Sequence, residues 1–312
     1  MTGLADLTLR RPGTLDEALA ALGADGARPL GGGTDLLPNL RRGIVRPAVL
    51  VDLGGIAGLD GVQREAGHWR LGAGVTLARL ERDAALAASL PALVQAAARV
   101  AGPGHRSAAT LGGNLCQDTR CVYYNQSAWW RAANGGCLKR DGTVCHVAPQ
   151  GTRCHAAYEG DLAAALLALD AEVEIAGPGG ARRCALQALY RDDGAAHLTL
   201  APGELVVAVL VPLPPAGTRS GFAKVSARAA MDFPLASVAV ALRLDGARLA
   251  ALAVGLSGTN SRPLRLQDTN TLLGRPVDDE LLAALGKLVA RQASPMRSTV
   301  TAAHHRRLVA AA

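Results

Sequence analysis

The sequence predicts an α+β protein in two parts, an N-terminal region over residues 1–210 and a C-terminal one over residues 216–312. Three observations carry that reading. Up to about residue 200, short strand patterns mix irregularly with short helical ones and are punctuated by glycine turns. From Leu205 onward, β-rich runs follow one another and helical patterns close the chain, as in a separate antiparallel sheet with helices. Between Cys116 and Cys154 the composition changes. Five of the six cysteines lie there with Tyr123, Tyr124, Trp129 and Trp130, and Tyr158 follows, so that five of nine aromatics fall in or beside this stretch. It predicts a module inserted over residues 116–158.

Thr14 and Glu17 have the spacing of a capping box, and Leu15, Leu19 and Leu22 recur at helical intervals until Gly23, predicting a helix over 15–22. A strand over Ala27–Leu30 runs into Gly31-Gly32-Gly33-Thr34-Asp35, and Leu36–Arg42 then forms a helical turn. Strand, glycines and helix start together offer backbone N–H groups to an anion. Ala48–Leu53 and Trp69–Ala73 read as strands. The run from Gly72 through Gly74 to Leu77 imitates a dinucleotide fingerprint, but Leu77 stands where that motif requires Gly or Ala, which excludes a Rossmann reading. Thr76 instead caps a helix reaching about Ala85, and Pro91–Val100 forms a second, apolar enough to be buried. Ala109–Leu115 holds the second glycine turn, Asp161 caps an apolar helix over Leu162–Leu169, and a strand over Ala171–Ile175 closes at the turn 177–180.

In the C-terminal part, Val206–Val211 is a strand ended by Pro212, Pro214 and Pro215. Phe222–Arg228, Ala236–Leu244 and Ala247–Leu256 follow as strands, the last two joined at Asp245-Gly246, a strong hairpin signal. Helices at 279–292 and 297–311 complete the chain. Lys224, Arg228 and Asp232 stand four residues apart on a strand-like pattern, so Lys224 either faces a phosphate or an electron-rich ring or lies on a solvated face. His304-His305-Arg306-Arg307 reads as the polar surface of the last helix.

With 49% hydrophobic residues, 312 residues can fill a substantial core. No run of about 18 uncharged apolar residues occurs, and Met1–Arg11 shows no apolar leader, so a cytoplasmic protein without a membrane span is expected. The formal charge of +7 is spread over scattered arginines, which argues against nucleic acid and suits an anionic cofactor or an acidic redox partner. In a reducing compartment, clustered cysteines hold metals or do redox work more often than they form disulfides. Cys121, Cys137, Cys145 and Cys154 follow at steps of 16, 8 and 9 residues with no C-x2-C pair, unlike zinc ribbons or the bacterial ferredoxin run. Zinc, an iron–sulfur cluster and buried free thiols all remain open on the residues alone.

The chain resembles the FAD-binding middle subunits of the molybdenum hydroxylase family, which contains the xanthine and carbon monoxide dehydrogenases. The resemblance rests on Gly31 to Leu36, Ala109 to Leu115, Gly160-Asp161-Leu162-Ala163, and Lys224 with Arg228, Asp232 and Pro234. It implies a two-part FAD-binding domain of the vanillyl-alcohol-oxidase type, followed by a C-terminal flavoprotein domain of three antiparallel strands and helices. It also implies that FAD is held by Leu30, Gly31, Gly32, Gly33, Thr34, Asp35, Leu36, Ala101, Thr110, Gly112, Gly113, Asn114, Asp161 and Lys224, with its pyrophosphate on the two glycine loops. The turn Gly102–Arg106 departs from the family pattern at Gly104 and His105. Within the family, the insert is similar to that of the 4-hydroxybenzoyl-CoA reductases, through Cys116 to Cys121, Tyr124 to Ser127, Trp129-Trp130-Arg131 and Cys137-Leu138-Lys139. That likeness implies a [4Fe–4S] cluster on Cys121, Cys137, Cys145 and Cys154, with Cys116 left out; the Tyr and Trp residues either cover such a cluster or simply pack the module. The partners it implies are a large molybdenum-cofactor subunit and a small subunit with two [2Fe–2S] centres, in a dimer of heterotrimers fed by a donor such as ferredoxin. The alternatives are an oxidative hydroxylase subunit delivering electrons to NAD or a quinone, and a zinc-stabilised binding module.

Overall fold

The computed structural model describes residues 7–312. The start of the first region at residue 1, and part of the leader reading over Met1–Arg11, lie outside the described residues. The first layer is a small parallel sheet of β1 (Thr8–Arg10), β2 (Ala27–Leu30) and β3 (Val49–Asp52) in the order β1-β3-β2. Helix α1 (Leu15–Leu22) crosses from β1 to β2 and α2 (Leu36–Arg41) from β2 to β3. Thr14 Oγ1 accepts the Glu17 N–H at 3.2 Å, while the Glu17 carboxylate reaches past the cap to accept from the Gly13 N–H at 2.8 Å.

The second layer is an antiparallel sheet of β4 (Val62–Glu65), β5 (His68–Gly72), β6 (Glu172–Gly177), β7 (Gly180–Ala185) and β8 (Leu205–Pro212), ordered β4-β5-β8-β6-β7. Leu205 to Val211 are all buried because β8 is the middle strand, covered on both faces. The change of pattern at Leu205 therefore falls inside the first region's sheet.

Between β5 and β6 the chain runs through α3 (Leu77–Arg82), α4 (Ala84–Ser89), α5 (Pro91–Ala98), α6 (Pro103–Ala108), α7 (Leu111–Leu115), α8 (Ala128–Ala133) and α9 (Asp161–Ala168). The single helix expected from Thr76 to Ala85 is two, because the Asp83 carboxylate caps a new start by accepting the Leu86 N–H at 2.9 Å. The second glycine turn is the helical turn α7, whose Thr110 cap accepts the Gly113 N–H at 3.1 Å. Every residue of α9 is buried, against three strands of the C-terminal sheet on one side and α5 and α7 on the other.

The C-terminal sheet runs β12 (Leu264–Arg265), β11 (Arg248–Ser257), β10 (Ala236–Asp245), β9 (Arg219–Val225), all antiparallel. Gly255 of β11 is required, since a Cβ there would lie 2.0 Å from the Ala164 carbonyl oxygen of α9. Helix α10 (Asp279–Gln292) has the expected ends, while α11 (Ala303–Ala311) begins later than residue 297, and β9 stops at Val225 rather than Arg228. The polar surface expected at His304–Arg307 fails at Arg306, which is fully buried and donates to the carbonyls of Leu235 and Met296, each at 3.2 Å, and of Gly258. Among the described residues no helix is long and apolar enough to cross a membrane.

Candidate functional site

The two glycine loops meet. A Cβ on Gly32 would stand 1.7 Å from the Ala108 carbonyl oxygen and one on Gly31 2.8 Å from Thr110 Oγ1, so only glycine lets residues 31–32 lie against 108–110. Gly33 has φ of +71°, the left-handed turn that launches α2. Leu30, which ends β2, accepts the Leu53 N–H at 2.9 Å, and Thr34 and Leu36 are half-buried. Gly112 donates to the Ala73 carbonyl at 2.8 Å, fixing α7 to the end of β5, and Gly113 is exposed.

Asn114 ties the second loop to α9 by accepting the Leu162 N–H at 3.2 Å on Oδ1. The neighbouring Asp161 does not cap its helix; its Oδ2 receives Lys224 Nζ at 2.6 Å, and the two side chains are 4% and 3% exposed. Lys224 also donates to the Arg99 carbonyl at 3.2 Å, which excludes a solvated face for it. Burial pushes the Asp161 carboxyl up even though Lys224 opposes it. Its other oxygen, Oδ1, is buried without a partner. Ala101, two residues past Arg99, is held at φ of +43°, a strained setting for alanine, and its carbonyl accepts from Arg106 at 3.4 Å. The residues implied for FAD therefore form one contiguous band, which runs from the first glycine loop through α7 and α9 to β9.

Asp35 joins this band to the cysteine module. Its Oδ2 accepts the Asp118 N–H at 3.0 Å and its Oδ1 pairs with Arg120. Arg120 lies 4.7 Å from the centre of the Phe233 ring, which brings in the loop after β9. Asp118 in turn pairs with Lys139 at 2.6 Å and accepts the Tyr124 hydroxyl at 3.0 Å. Of these charges only Asp35 has a role assigned from the sequence; Asp118, Arg120 and Lys139 enter there only as parts of the segments that carry the insert's resemblance. Glu159, also unforeseen, is buried, and burial pushes its carboxyl up to about 7 although Arg306 and Arg120 pull it down.

Cys121, Cys137, Cys145 and Cys154 line one small cavity with Tyr123, Tyr124, Leu138, Lys139, His146 and Val147. Each is 5% to 8% exposed and none is in a disulfide. Cys137 sits in a tight turn, exchanging hydrogen bonds with Arg140 at 2.8 and 2.7 Å, and Gly136 before it has φ of +71°. The Cys154 N–H is anchored by Asp193 at 3.1 Å and its sulfur accepts the Ala156 N–H at 3.4 Å. Burial pushes the Cys154 thiol up to about 11 and also raises Cys121, whose sulfur feels Cys137 and Cys145. Cys116 stands apart in the main core, its thiol pushed up to about 12 by burial.

The aromatic cover is smaller than expected. Tyr123 and Tyr124 line the cavity, Trp129 is 77% exposed, and Tyr158 is buried elsewhere, donating to Leu115 O at 3.0 Å. Arg131 staples the module to the first region through the Gly43 carbonyl at 3.4 Å, and Ile44 packs among Cys121, Tyr124, Cys137 and Cys154. Among the described residues no three His, Cys, Asp or Glu side chains are placed to hold a single metal ion.

The described chain is thus a mixed α/β scaffold with two apposed glycine loops, a buried acid–lysine pair and a separate C-terminal sheet. Residues 5–214 match the family model "FAD binding domain in molybdopterin dehydrogenase" and residues 222–312 match "CO dehydrogenase flavoprotein C-terminal domain". The chain belongs to the FAD-binding medium subunits of the molybdenum hydroxylase family. It is 34% identical over 83% of its length to the aldehyde oxidoreductase FAD-binding subunit PaoB of Escherichia coli K12, covering 83% of that protein. It is 30% identical over 90% of its length to the carbon monoxide dehydrogenase medium chain of Afipia carboxidovorans, covering 85% of that protein. Its fold matches a chain of reconstituted CO dehydrogenase from Oligotropha carboxidovorans with a TM-score of 0.81, at 27% identity over 98% of this chain and 94% of that one.

Proposed function

We propose that this subunit carries FAD and a [4Fe–4S] cluster and passes electrons between an external carrier and partner subunits that hold [2Fe–2S] centres and molybdenum. The observation that supports it best is the convergence of four buried thiols on one cavity, joined through Asp118 and Arg120 to Asp35 of the first glycine loop. The donor set suits a cluster in kind: four buried thiols line one cavity, and such thiols bind metal as thiolates.

FAD, when bound, would take up and release electrons one at a time, which suits one-electron clusters on either side of it. This chain's residues bind, orient and enclose it. Gly31 to Gly33 would present backbone N–H groups to the pyrophosphate, braced by α7, whose own N–H groups at Leu111, Gly112 and Gly113 are donated to Val75, Ala73 and Thr110, and the orphaned Asp161 Oδ1 offers an acceptor for a ribityl or ribose hydroxyl. Lys224 holds that carboxylate in place with its charge met. Leu30, Thr34, Leu36 and Ala101 shape the walls. No substrate chemistry is assigned to this chain; that belongs to the large subunit.

The direction of flow divides two readings. Relatives named as aldehyde oxidoreductase and carbon monoxide dehydrogenase subunits support an oxidising complex, with an aldehyde as the first substrate to test. The likeness of the insert to that of 4-hydroxybenzoyl-CoA reductases supports the reductive reading, with electrons entering at the cluster from a ferredoxin-type donor. Anaerobic mixing of the purified complex with an aldehyde should bleach the flavin at once in the first case. In the second, a low-potential donor should drive loss of the phenolic hydroxyl from 4-hydroxybenzoyl-CoA.

A further inference from the structure

Lys139 lines the cysteine cavity with a side chain only 6% exposed. Its ammonium donates to Asp118 Oδ1 at 2.6 Å, to Thr119 Oγ1 at 2.5 Å and to the Thr119 carbonyl at 3.2 Å, and lies 4.2 Å from the centre of the Tyr124 ring. Three acceptors for three protons leave this cation fixed rather than free to swing. Asp118 then donates its own N–H to Asp35 at 3.0 Å, and Asp35 pairs with Arg120. One polar bridge thus runs from the cavity wall to the glycine loop.

We propose that Lys139 is a positioning residue whose fixed charge favours the electron-rich state of the cysteine centre and, through Asp118 and Asp35, registers that centre against the flavin loop. This rests on the reading that the four cysteines hold an iron–sulfur cluster. Taking up one electron makes a four-thiolate centre one unit more negative with no proton required. A cation held in a cavity with little water is weakly screened, so it stabilises that state over the oxidised one. A lysine whose field at the centre is cancelled by Asp118 would leave the potential where it is.

The test is a dithionite titration of the purified complex followed by electron paramagnetic resonance, with iron, labile sulfide and FAD assayed on each sample. K139M should lower the midpoint potential of the cluster, K139R should restore it towards wild type, and D118N, which leaves the ammonium uncompensated, should raise it. Should K139M alone lose iron, the sign of the D118N shift decides. Wild-type potentials in iron-replete K139M and D118N, or loss of iron from both K139M and K139R, would overturn the role given to Lys139. A wild-type complex without iron and labile sulfide would instead overturn the cluster reading beneath it.

Discussion

Lys224 Nζ lies 2.6 Å from Asp161 Oδ2 in a pair 3% and 4% exposed, and it joins β9 of the C-terminal sheet to the start of α9. Removing one partner leaves the other charge buried and unmet. Lys224→Met should therefore cost about 3–5 kcal/mol in denaturant unfolding and release flavin, whereas adding Asp161→Leu should recover much of the stability but not the flavin. Full flavin binding by the double variant would remove Asp161 from the site.

Gly32→Ala places a Cβ 1.7 Å from the Ala108 carbonyl, so the two loops must part. The variant should fold yet purify without its yellow colour. Gly104→Ala serves as the control, since nothing lies within 4 Å of its Cβ and helix propensity gains slightly.

Cys154→Ser should strip iron from the protein, and Cys116→Ser should leave the iron content unchanged, because Cys116 faces the main core rather than the cavity. Iron analysis after anaerobic purification decides both.

Glu159 titrates at about 7 in the folded chain against an ordinary 4.5, so folding favours its protonated form. Its contribution is fully present below about 4.5 and is lost as pH rises through about 7, amounting to roughly 3 kcal/mol. Thermal unfolding should weaken accordingly from acidic to mildly alkaline pH. Glu159→Gln should flatten that part of the profile, and an unchanged slope would show that another group carries it.

Local signals were the legible ones. The Thr14 cap, the Gly23 stop and the strand before Gly31 mark α1 and β2 to the residue. The short strands β1, β4 and β7 escaped because TLR, VQRE and GARRCA carry charge and are largely exposed: β1 pairs only with the distant β3, and β4 and β7 are the edge strands of their sheet. In the site, the glycines and cysteines stand out by composition and motif. What unites them does not: Lys224 meets Asp161 across 63 residues and Arg120 meets Asp35 across 85, and in a sequence such charges look solvated. Arg306 misled for the same reason.

The most direct measurement of the whole account is the cofactor content of the anaerobically purified complex, resolved for this subunit. About four irons, about four labile sulfides and about one FAD per chain are expected of a flavin domain bearing one cysteine-ligated cubane. Zinc without labile sulfide, or a folded subunit that takes up no flavin when FAD is supplied, would contradict it.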